Sequence, residues 1–240
     1  MKTRGRKMEL ARKHWNKDGV LELENYLLSL SKGTEKGMWE QRITGTKLPC
    51  IAVPSTEVRK IVSGISKGNF LELINLWPWQ NLTMAFIVGE LISKIKDFNV
   101  MKPYLLKYAQ KADSWAITDT IKFKPKNKTE VFEFAKFLTT QKETFVRRQG
   151  VILMLKILDK DIAPQVLDYL NFFENEPEFY VNMAVAWVIC ECFIKNREAT
   201  IKFLDKTTLK KEIINKAISK MRDSYRVAGE DKQMILKYKK

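Results

Sequence analysis

A tryptophan and an aspartate stand four positions apart in the segment Ser114-Trp115-Ala116-Ile117-Thr118-Asp119. On a helix, residues four apart lie on the same face, so the indole and the carboxylate would stand side by side. An aromatic face and an anion both attract positive charge, and the pair therefore suits a cationic ligand. The structural alternative is a core tryptophan beside an aspartate that caps a helix or forms a salt bridge.

The chain is strongly basic: its 240 residues include 43 Lys and Arg against 28 Asp and Glu, for a formal net charge of +15. Such a protein repels free cations and attracts polyanions, so a positive group carried on a nucleic acid reconciles this charge with the Trp115 and Asp119 pair. Alkylated purine in DNA is such a group. The charge alone also fits an acidic partner, a membrane surface or a generally solvated lysine-rich surface.

The reactive residue types exclude several kinds of site. His14 is the only histidine, so neither a multi-histidine metal site nor a histidine-based catalytic triad is predicted. Cys50, Cys190 and Cys192 do not have the spacing of a disulfide framework or a zinc site, and no Walker or dinucleotide glycine motif occurs. We expect a solvated His14, reduced and mostly buried thiols, and chemistry by carboxylates, aromatics or amines without a metal or cofactor.

The sequence contains no candidate membrane span. No apolar run approaches the roughly 20 residues needed to cross a bilayer. The basic start Met1-Lys2-Thr3-Arg4-Gly5-Arg6-Lys7 is followed by Glu9, Arg12, Lys13 and His14 rather than by an apolar signal core. The sequence therefore predicts a cytoplasmic protein with no membrane partner.

Apolar residues recur three and four positions apart along most of the chain, and strand alternation is nearly absent, so the elements that must position Trp115 and Asp119 are helices. Several prolines stand where helices would begin, including Pro54, Pro103, Pro164 and Pro177. The helices are predicted at 7–31, 54–67, 69–76, 79–96, 100–112, 114–121, 128–139, 142–158, 161–173, 177–195, 197–204 and 208–221.

Successive amphipathic helices with short connections, grouped in pairs, predict an all-α fold: an α-solenoid of HEAT-like repeats that forms one domain over residues 1–240. We expect a concave basic face, which suits a rod-shaped polyanion such as duplex DNA. The alternative is a compact, irregular helical bundle.

Two further segments contain candidate binding residues. Arg147 and Arg148 open an apolar helix, and we expect one to be solvated and the other to bind a partner. Arg148 would either grip a DNA phosphate through its rigid fork of donors or pair with a structural carboxylate. Trp187 stands in the middle of a strongly apolar helix, where an isolated tryptophan is usually part of the core.

These segments resemble the AlkD-type DNA alkylation repair proteins, which are HEAT-like-repeat DNA glycosylases. The resemblance runs from about Gly45 to the C-terminus and is weakest over residues 1–44. It rests on the order and spacing of Val53-Pro54 with Val58-Arg59-Lys60-Ile61, Ser114-Trp115-x-x-x-Asp119, Arg147-Arg148-x-x-Val151-Ile152-Leu153-x-Leu155-Lys156, Ala184-x-Ala186-Trp187, and Asp223-Ser224-Tyr225-Arg226-Val227.

The resemblance implies an active site that contains Trp115, Asp119, Arg148 and Trp187. Lys156 matches a basic position that family members direct toward the DNA backbone, although in isolation it reads as a surface lysine. Family members often have an arginine three residues after the second tryptophan, where this chain has Cys190. That departure puts one phosphate contact in doubt.

The activity that the resemblance implies is excision of positively charged N3- or N7-alkylated purines from duplex DNA, the first step of base excision repair, by a monomer. The alternatives are a non-catalytic HEAT-like scaffold that binds nucleic acid or an acidic protein, and an RNA-binding module. Fold alone does not establish catalysis. The pairing of both tryptophans with Asp119 favours the enzyme over the scaffold.

Overall fold

The computed structural model of the protein describes residues 8–239. Within that range every regular element is a helix and no strand forms, which confirms the prediction of an all-α fold. Short 3₁₀ turns follow two of the helices, at Asn171–Phe173 and Ile235–Tyr238. The α-helices are α1 (Lys17–Ser29), α2 (Thr34–Thr44), α3 (Ser55–Ile65), α4 (Phe70–Asn75), α5 (Leu82–Ile92), α6 (Phe98–Lys111), α7 (Trp115–Thr118), α8 (Lys128–Thr139), α9 (Thr144–Ile157), α10 (Ala163–Leu170), α11 (Phe179–Lys195), α12 (Arg197–Lys206), α13 (Lys211–Asp223) and α14 (Gly229–Met234).

The chain divides into two compact units, Met1–Phe123 and Lys124–Lys240. The prediction of one repeat domain over residues 1–240 stays a prediction, and so does the concave basic face. Among residues 8–239, no helix is long and apolar enough to cross a bilayer.

In the first unit, α5 is the central helix. Its sequence, Leu-Thr-Met-Ala-Phe-Ile-Val-Gly-Glu-Leu-Ile, is apolar on nearly every face, and most of its residues are buried. A helix of that composition must be surrounded by others. Helices α3, α4, α6 and α7 all pack against α5, so the segment that contains Trp115 is seated directly on the core of this unit.

In the second unit, α8 and α9 pack together, and from α9 onward alternate helices also pack side by side. Helix α9 packs against α8 and α11, α11 packs against α13, and α10 packs against α12. This alternation is the arrangement expected of stacked helix pairs. Gly150 permits the closest of these approaches, because a Cβ atom there would lie 2.6 Å from the Ala135 carbonyl oxygen and 2.7 Å from the Thr139 methyl carbon.

The predicted helix positions agree with the structure over most of the chain, and α8 matches residue for residue. The helix predicted from residue 7 instead begins at Lys17, where the Asn16 side chain caps it by accepting the Gly19 N–H at 2.9 Å. Residue 7 and the rest of the basic segment 1–7 lie outside the described residues. Pro103 stands inside α6 rather than at its start, so its placement in a first turn was wrong.

Helix α2 was not predicted. Its larger apolar side chains, Met38, Trp39 and Ile43, are all exposed, so they do not form the buried apolar stripe from which helices are recognised in a sequence. The backbone of the helix makes a close contact instead: Gly37 lies so close to the Cys50 carbonyl that no side chain fits there.

Candidate active site

The Trp115 and Asp119 segment forms a helix of a single turn. Helix α7 has four residues, and Asp119 follows it as the C-terminal cap, with its N–H donating to the Trp115 carbonyl oxygen at 3.1 Å. The predicted helical spacing is confirmed, although the helix is shorter than the predicted 114–121. Both side chains are half-buried, so each retains a surface that a ligand can contact.

The start of α7 is tied to the loop that follows α2. The Asp113 carboxylate accepts the Thr46 hydroxyl at 2.6 Å and the Lys47 N–H at 2.7 Å. The Ser114 hydroxyl donates to the Thr44 carbonyl at 2.7 Å, and its oxygen accepts the Ala116 N–H at 3.2 Å. The position of the Trp115 backbone is therefore set by polar contacts with a distant part of the sequence.

The end of α7 is supported by Tyr108 of α6. The Tyr108 side chain is fully buried, and its hydroxyl lies 3.1 Å from both the Ile117 and the Ala85 carbonyl oxygens. The ring of Trp79 meets the Tyr108 ring edge to face at 5.5 Å. Burial raises the pKa of Tyr108 well above its ordinary value, so the hydroxyl remains a protonated donor at neutral pH.

The location of Asp119 is not explained by the stability of α7. The N-terminal cap of this helix is Ser114, so the aspartate does not perform the stabilising cap function for which carboxylates are favoured. At a C-terminal end, the helix carbonyls disfavour a neighbouring anion. The Thr118 hydroxyl lies 3.3 Å from the Asp119 carboxylate and can donate to it. A carboxylate held at this end can contact a cationic ligand.

In the second unit, the two arginines of α9 are both largely buried, so the expectation that one would be solvated was wrong. Arg147 is 14% exposed and forms a two-point ion pair with Glu176, with Nε–Oε2 and Nη2–Oε1 distances of 2.8 and 2.9 Å. The Glu176 backbone carbonyl also accepts Lys210 Nζ at 2.9 Å and Asn182 Nδ2 at 3.1 Å. Arg147 therefore has a structural carboxylate partner.

Arg148 is 4% exposed and donates through Nη1 to the Tyr180 carbonyl at the start of α11. A guanidinium has five donors in a planar fork, and this backbone contact fixes the direction of the fork. Lys156 is half-buried in the last turn of α9, where a cation is favoured by the helix dipole. The DNA-binding roles of both residues stay predictions.

Trp187 of α11 is half-buried rather than enclosed in the core. Its ring lines an open pocket of about 450 Å³ together with Cys190, Lys220, Tyr225 and Arg226. The Lys220 ammonium lies 5.8 Å from the Trp187 ring centroid, within the range of a cation–π interaction. The indole therefore has an accessible surface next to a positive charge.

The departure at Cys190 removes a cation from this part of α11. Burial raises the pKa of the Cys190 thiol to about 11, so it stays neutral at physiological pH. Arg226 lines the same pocket, but its guanidinium is paired with the Glu191 carboxylate, with Nη1 and Oε2 at 2.9 Å. The structure thus places a charged pair beside Cys190.

His14 is solvated and the three cysteines are reduced, as the sequence predicts. The His14 side chain is 88% exposed. All three thiols are free, with Cys190 and Cys192 buried and Cys50 half-buried. Burial raises the pKa of Cys50 to about 11 and that of Cys192 further, so none of them is an activated nucleophile. Among residues 8–239, no group of histidines, cysteines and carboxylates has the arrangement of a metal site.

Sequence reasoning missed the residues that hold α7 in place. Asp113 and Tyr108 have no recognisable spacing relative to the partners that they contact, because those partners are distant in the chain or are backbone atoms. Ser114 did carry a signal, since a serine directly before a helical segment predicts an N-cap. Gly89, in the middle of a predicted helix, was the other available clue, because such a glycine often marks a close approach.

The family model of the DNA alkylation repair enzymes matches residues 31–221 of the chain. No curated protein matches, and no solved structure does. The matched range contains all five predicted site residues and begins before Gly45, so it takes in α2. Because the match covers well over half of the sequence, the chain belongs to the DNA alkylation repair enzyme family, and alkylated DNA is the partner that this membership implies.

Proposed function

We propose that the protein is a DNA glycosylase that hydrolyses the N-glycosidic bond of N3- and N7-alkylated purines in duplex DNA. The observation that carries this proposal is the half-buried carboxylate of Asp119, held one helical turn from the half-buried indole of Trp115. In a member of a DNA alkylation repair family, a site that suits a cation is best matched by a substrate that is itself positively charged.

Alkylation at N3 or N7 gives the purine a positive charge, so the base leaves with the electron pair of the C1′–N9 bond and becomes neutral. The sugar left behind has the character of an oxocarbenium cation. Water then adds its oxygen to C1′ and releases a proton. This sequence requires no activation of the leaving group, and water is the only co-reactant.

Asp119 has the central role in this scheme. Its negative charge stabilises the sugar cation as that cation develops, and its oxygens orient the attacking water. A carboxylate fixed before the reaction begins stabilises the transition state without reorganisation, which is why such preorganised charges are effective.

The two tryptophans and the basic residues have supporting roles. Trp115 and Trp187 each present an aromatic face to the lesion-bearing nucleotide, and each contributes about 0.5–2 kcal/mol toward binding a cationic base or sugar. Arg148 and Lys156 bind backbone phosphates. The net charge of +15 draws the protein to DNA, and lesion choice then follows from the charge and lability of the modified nucleotide. We further propose that the protein acts as a monomer in the cytoplasm.

The test is release of 7-methylguanine and 3-methyladenine from methylated duplex DNA, identified by mass spectrometry. We expect wild type to release both, and Asp119→Asn to be slower by about 10²–10³-fold, the usual cost of removing one preorganised charge or donor. Asp161→Asn is the matched control, because Asp161 is an exposed aspartate with no proposed role, and it should retain the wild-type rate.

Two outcomes would overturn parts of the proposal. Equal release by Asp119→Asn and wild type would remove Asp119 from the mechanism. Tight binding of unmodified and methylated duplex by wild type, with no base released from either, would favour the non-catalytic scaffold instead.

A further inference from the structure

Helix α7 is too short to hold its own conformation. It has four residues, and the first hydrogen-bonded turn of any helix is the unfavourable step in its formation. The relative positions of Trp115 and Asp119 must therefore be imposed by neighbouring elements. At the start of α7 these neighbours are the Thr44 carbonyl and the Thr46 to Lys47 loop, which contact Ser114 and Asp113.

At the end of α7, next to Asp119, the neighbour is Tyr108. Its hydroxyl lies 3.1 Å from the Ile117 carbonyl, two residues before the aspartate in the chain. That carbonyl also accepts the Thr120 N–H at 3.1 Å, so the Ile117 carbonyl lies at the junction of α7, Asp119 and α6. A shift of this carbonyl moves the backbone on which the carboxylate is mounted.

The fold reserves space for this hydroxyl. Gly89 stands within α5, where glycine costs helix stability relative to alanine. A Cβ atom at this position would overlap the Tyr108 hydroxyl and lie 2.6 Å from its ring carbon Cζ. The glycine is therefore needed for the tyrosine to reach α7, and the Trp79 ring packs edge to face against the tyrosine ring at 5.5 Å.

From these contacts we infer that Tyr108 is a positioning residue for the Asp119 carboxylate, acting through the Ile117 carbonyl in the space left by Gly89. This inference rests on the proposed role of Asp119. The single hydroxyl proton lies within reach of both the Ile117 carbonyl of α7 and the Ala85 carbonyl of α5, at 3.1 Å each, so the hydroxyl joins the two helices. This differs from a general stabilising role because the hydroxyl reaches α7, whereas the bulk of the side chain fills the core in either case.

The test compares two tyrosines of the same helix. Tyr108→Phe removes the buried hydroxyl and keeps the ring. Tyr104→Phe is the matched control, because the Tyr104 hydroxyl binds the exposed Asn75 side chain at 2.9 Å and does not contact α7. For the full-length chain, the measurements are the single-turnover rate of 7-methylguanine release, the Kd for methylated duplex, and amide hydrogen exchange over residues 114–121.

We expect Tyr108→Phe to release base about 10- to 100-fold more slowly, since small displacements of a reacting group have effects of this size. Its Kd should remain within about twofold of wild type, and its exchange over residues 114–121 should rise by about tenfold, as expected for the loss of one hydrogen bond. Tyr104→Phe should match wild type in all three measurements. Gly89→Ala displaces the hydroxyl without removing it and should also lower the rate of base release. This variant serves as the test if Tyr108→Phe does not fold.

A wild-type rate in Tyr108→Phe would overturn the inference, and so would a slow rate with unchanged exchange over residues 114–121. Failure of the proposed function is separable from both results, because it appears as absence of base release by wild type. In that case the exchange measurement decides: a rise in Tyr108→Phe but not in Tyr104→Phe supports the positioning of α7 by Tyr108, and equal exchange in the two variants contradicts it.

Discussion

Helices α7 and α9 both contain candidate site residues, but they hold them in opposite ways. Helix α7 is one turn long, and its ends are fixed by side chains and loops from other parts of the first unit. Helix α9 has fourteen residues, most of which are buried, and its Arg147 is locked to Glu176. The positions of Trp115 and Asp119 therefore depend on a few polar contacts, whereas the position of Arg148 depends on the packing of a whole helix.

Mutations of the contacts that hold α7 and of those that hold α9 should therefore have different effects. The contacts that fix α7 are a few hydrogen bonds, so their loss should change the rate of the reaction as well as the free energy of unfolding. Contacts that fix α9 lie within the core of the second unit, so their loss should mainly change stability. Variants in each region can therefore test whether the two helices depend on different kinds of contact.

The largest expected effect on stability is at Glu176. Glu176→Ala leaves the Arg147 guanidinium, 14% exposed, without its carboxylate partner, and removal of one member of a buried pair costs about 3–5 kcal/mol. The free energy of unfolding by urea should fall by about that amount. As a control, Glu191→Ala breaks the more exposed pair with Arg226 and should cost about 0–1 kcal/mol. Similar losses of stability in both variants would contradict the expectation that the Glu176 pair contributes more because it is more buried.

A smaller change in stability with a larger change in rate is expected at Ser114. Ser114→Ala removes the N-cap of α7, at about 1 kcal/mol, and the buried bond to the Thr44 carbonyl, at about 1 kcal/mol more. Because the cap fixes the start of the Trp115 turn, the single-turnover rate of base release should also fall by about tenfold.

The matched control for Ser114 is Asn127, the N-cap of α8, which accepts the Glu130 N–H at 3.1 Å. Asn127→Ala should lose about the same 1 kcal/mol for its cap and keep the wild-type rate. If the two cap variants lose activity to the same extent, general destabilisation explains the effect, and α7 has no special dependence on its anchors.

Much of the fold could be predicted from the sequence, because burial and hydropathy coincide in most helices. The boundaries of α8 follow from its apolar spacing and from Asn127 before it, and α5 and α11 follow from long apolar runs. Helix α2 could not be found in this way, since it exposes its apolar side chains and is anchored by its backbone at Gly37. The spacing pattern detects only helices that bury an apolar face.

The candidate site could be predicted only as far as residue types. The four-residue spacing of Trp115 and Asp119 indicated a shared helical turn, and the structure confirms that turn. The spacing could not indicate that Arg147 pairs with Glu176, because Glu176 lies 29 positions from Arg147. Nor could it indicate Tyr108, whose acceptors are backbone carbonyls that carry no sequence signature.

The central claim is that the Asp119 carboxylate stabilises positive charge on the sugar. The direct test is the affinity of the protein for duplex DNA that contains a cationic pyrrolidine in place of the sugar, relative to duplex with a neutral tetrahydrofuran at the same position. A transition-state-like cation should bind wild type at least about tenfold more tightly than the neutral analogue. In Asp119→Asn this preference should fall close to one, while Asp161→Asn should keep it. An equal preference in wild type and Asp119→Asn would contradict the account.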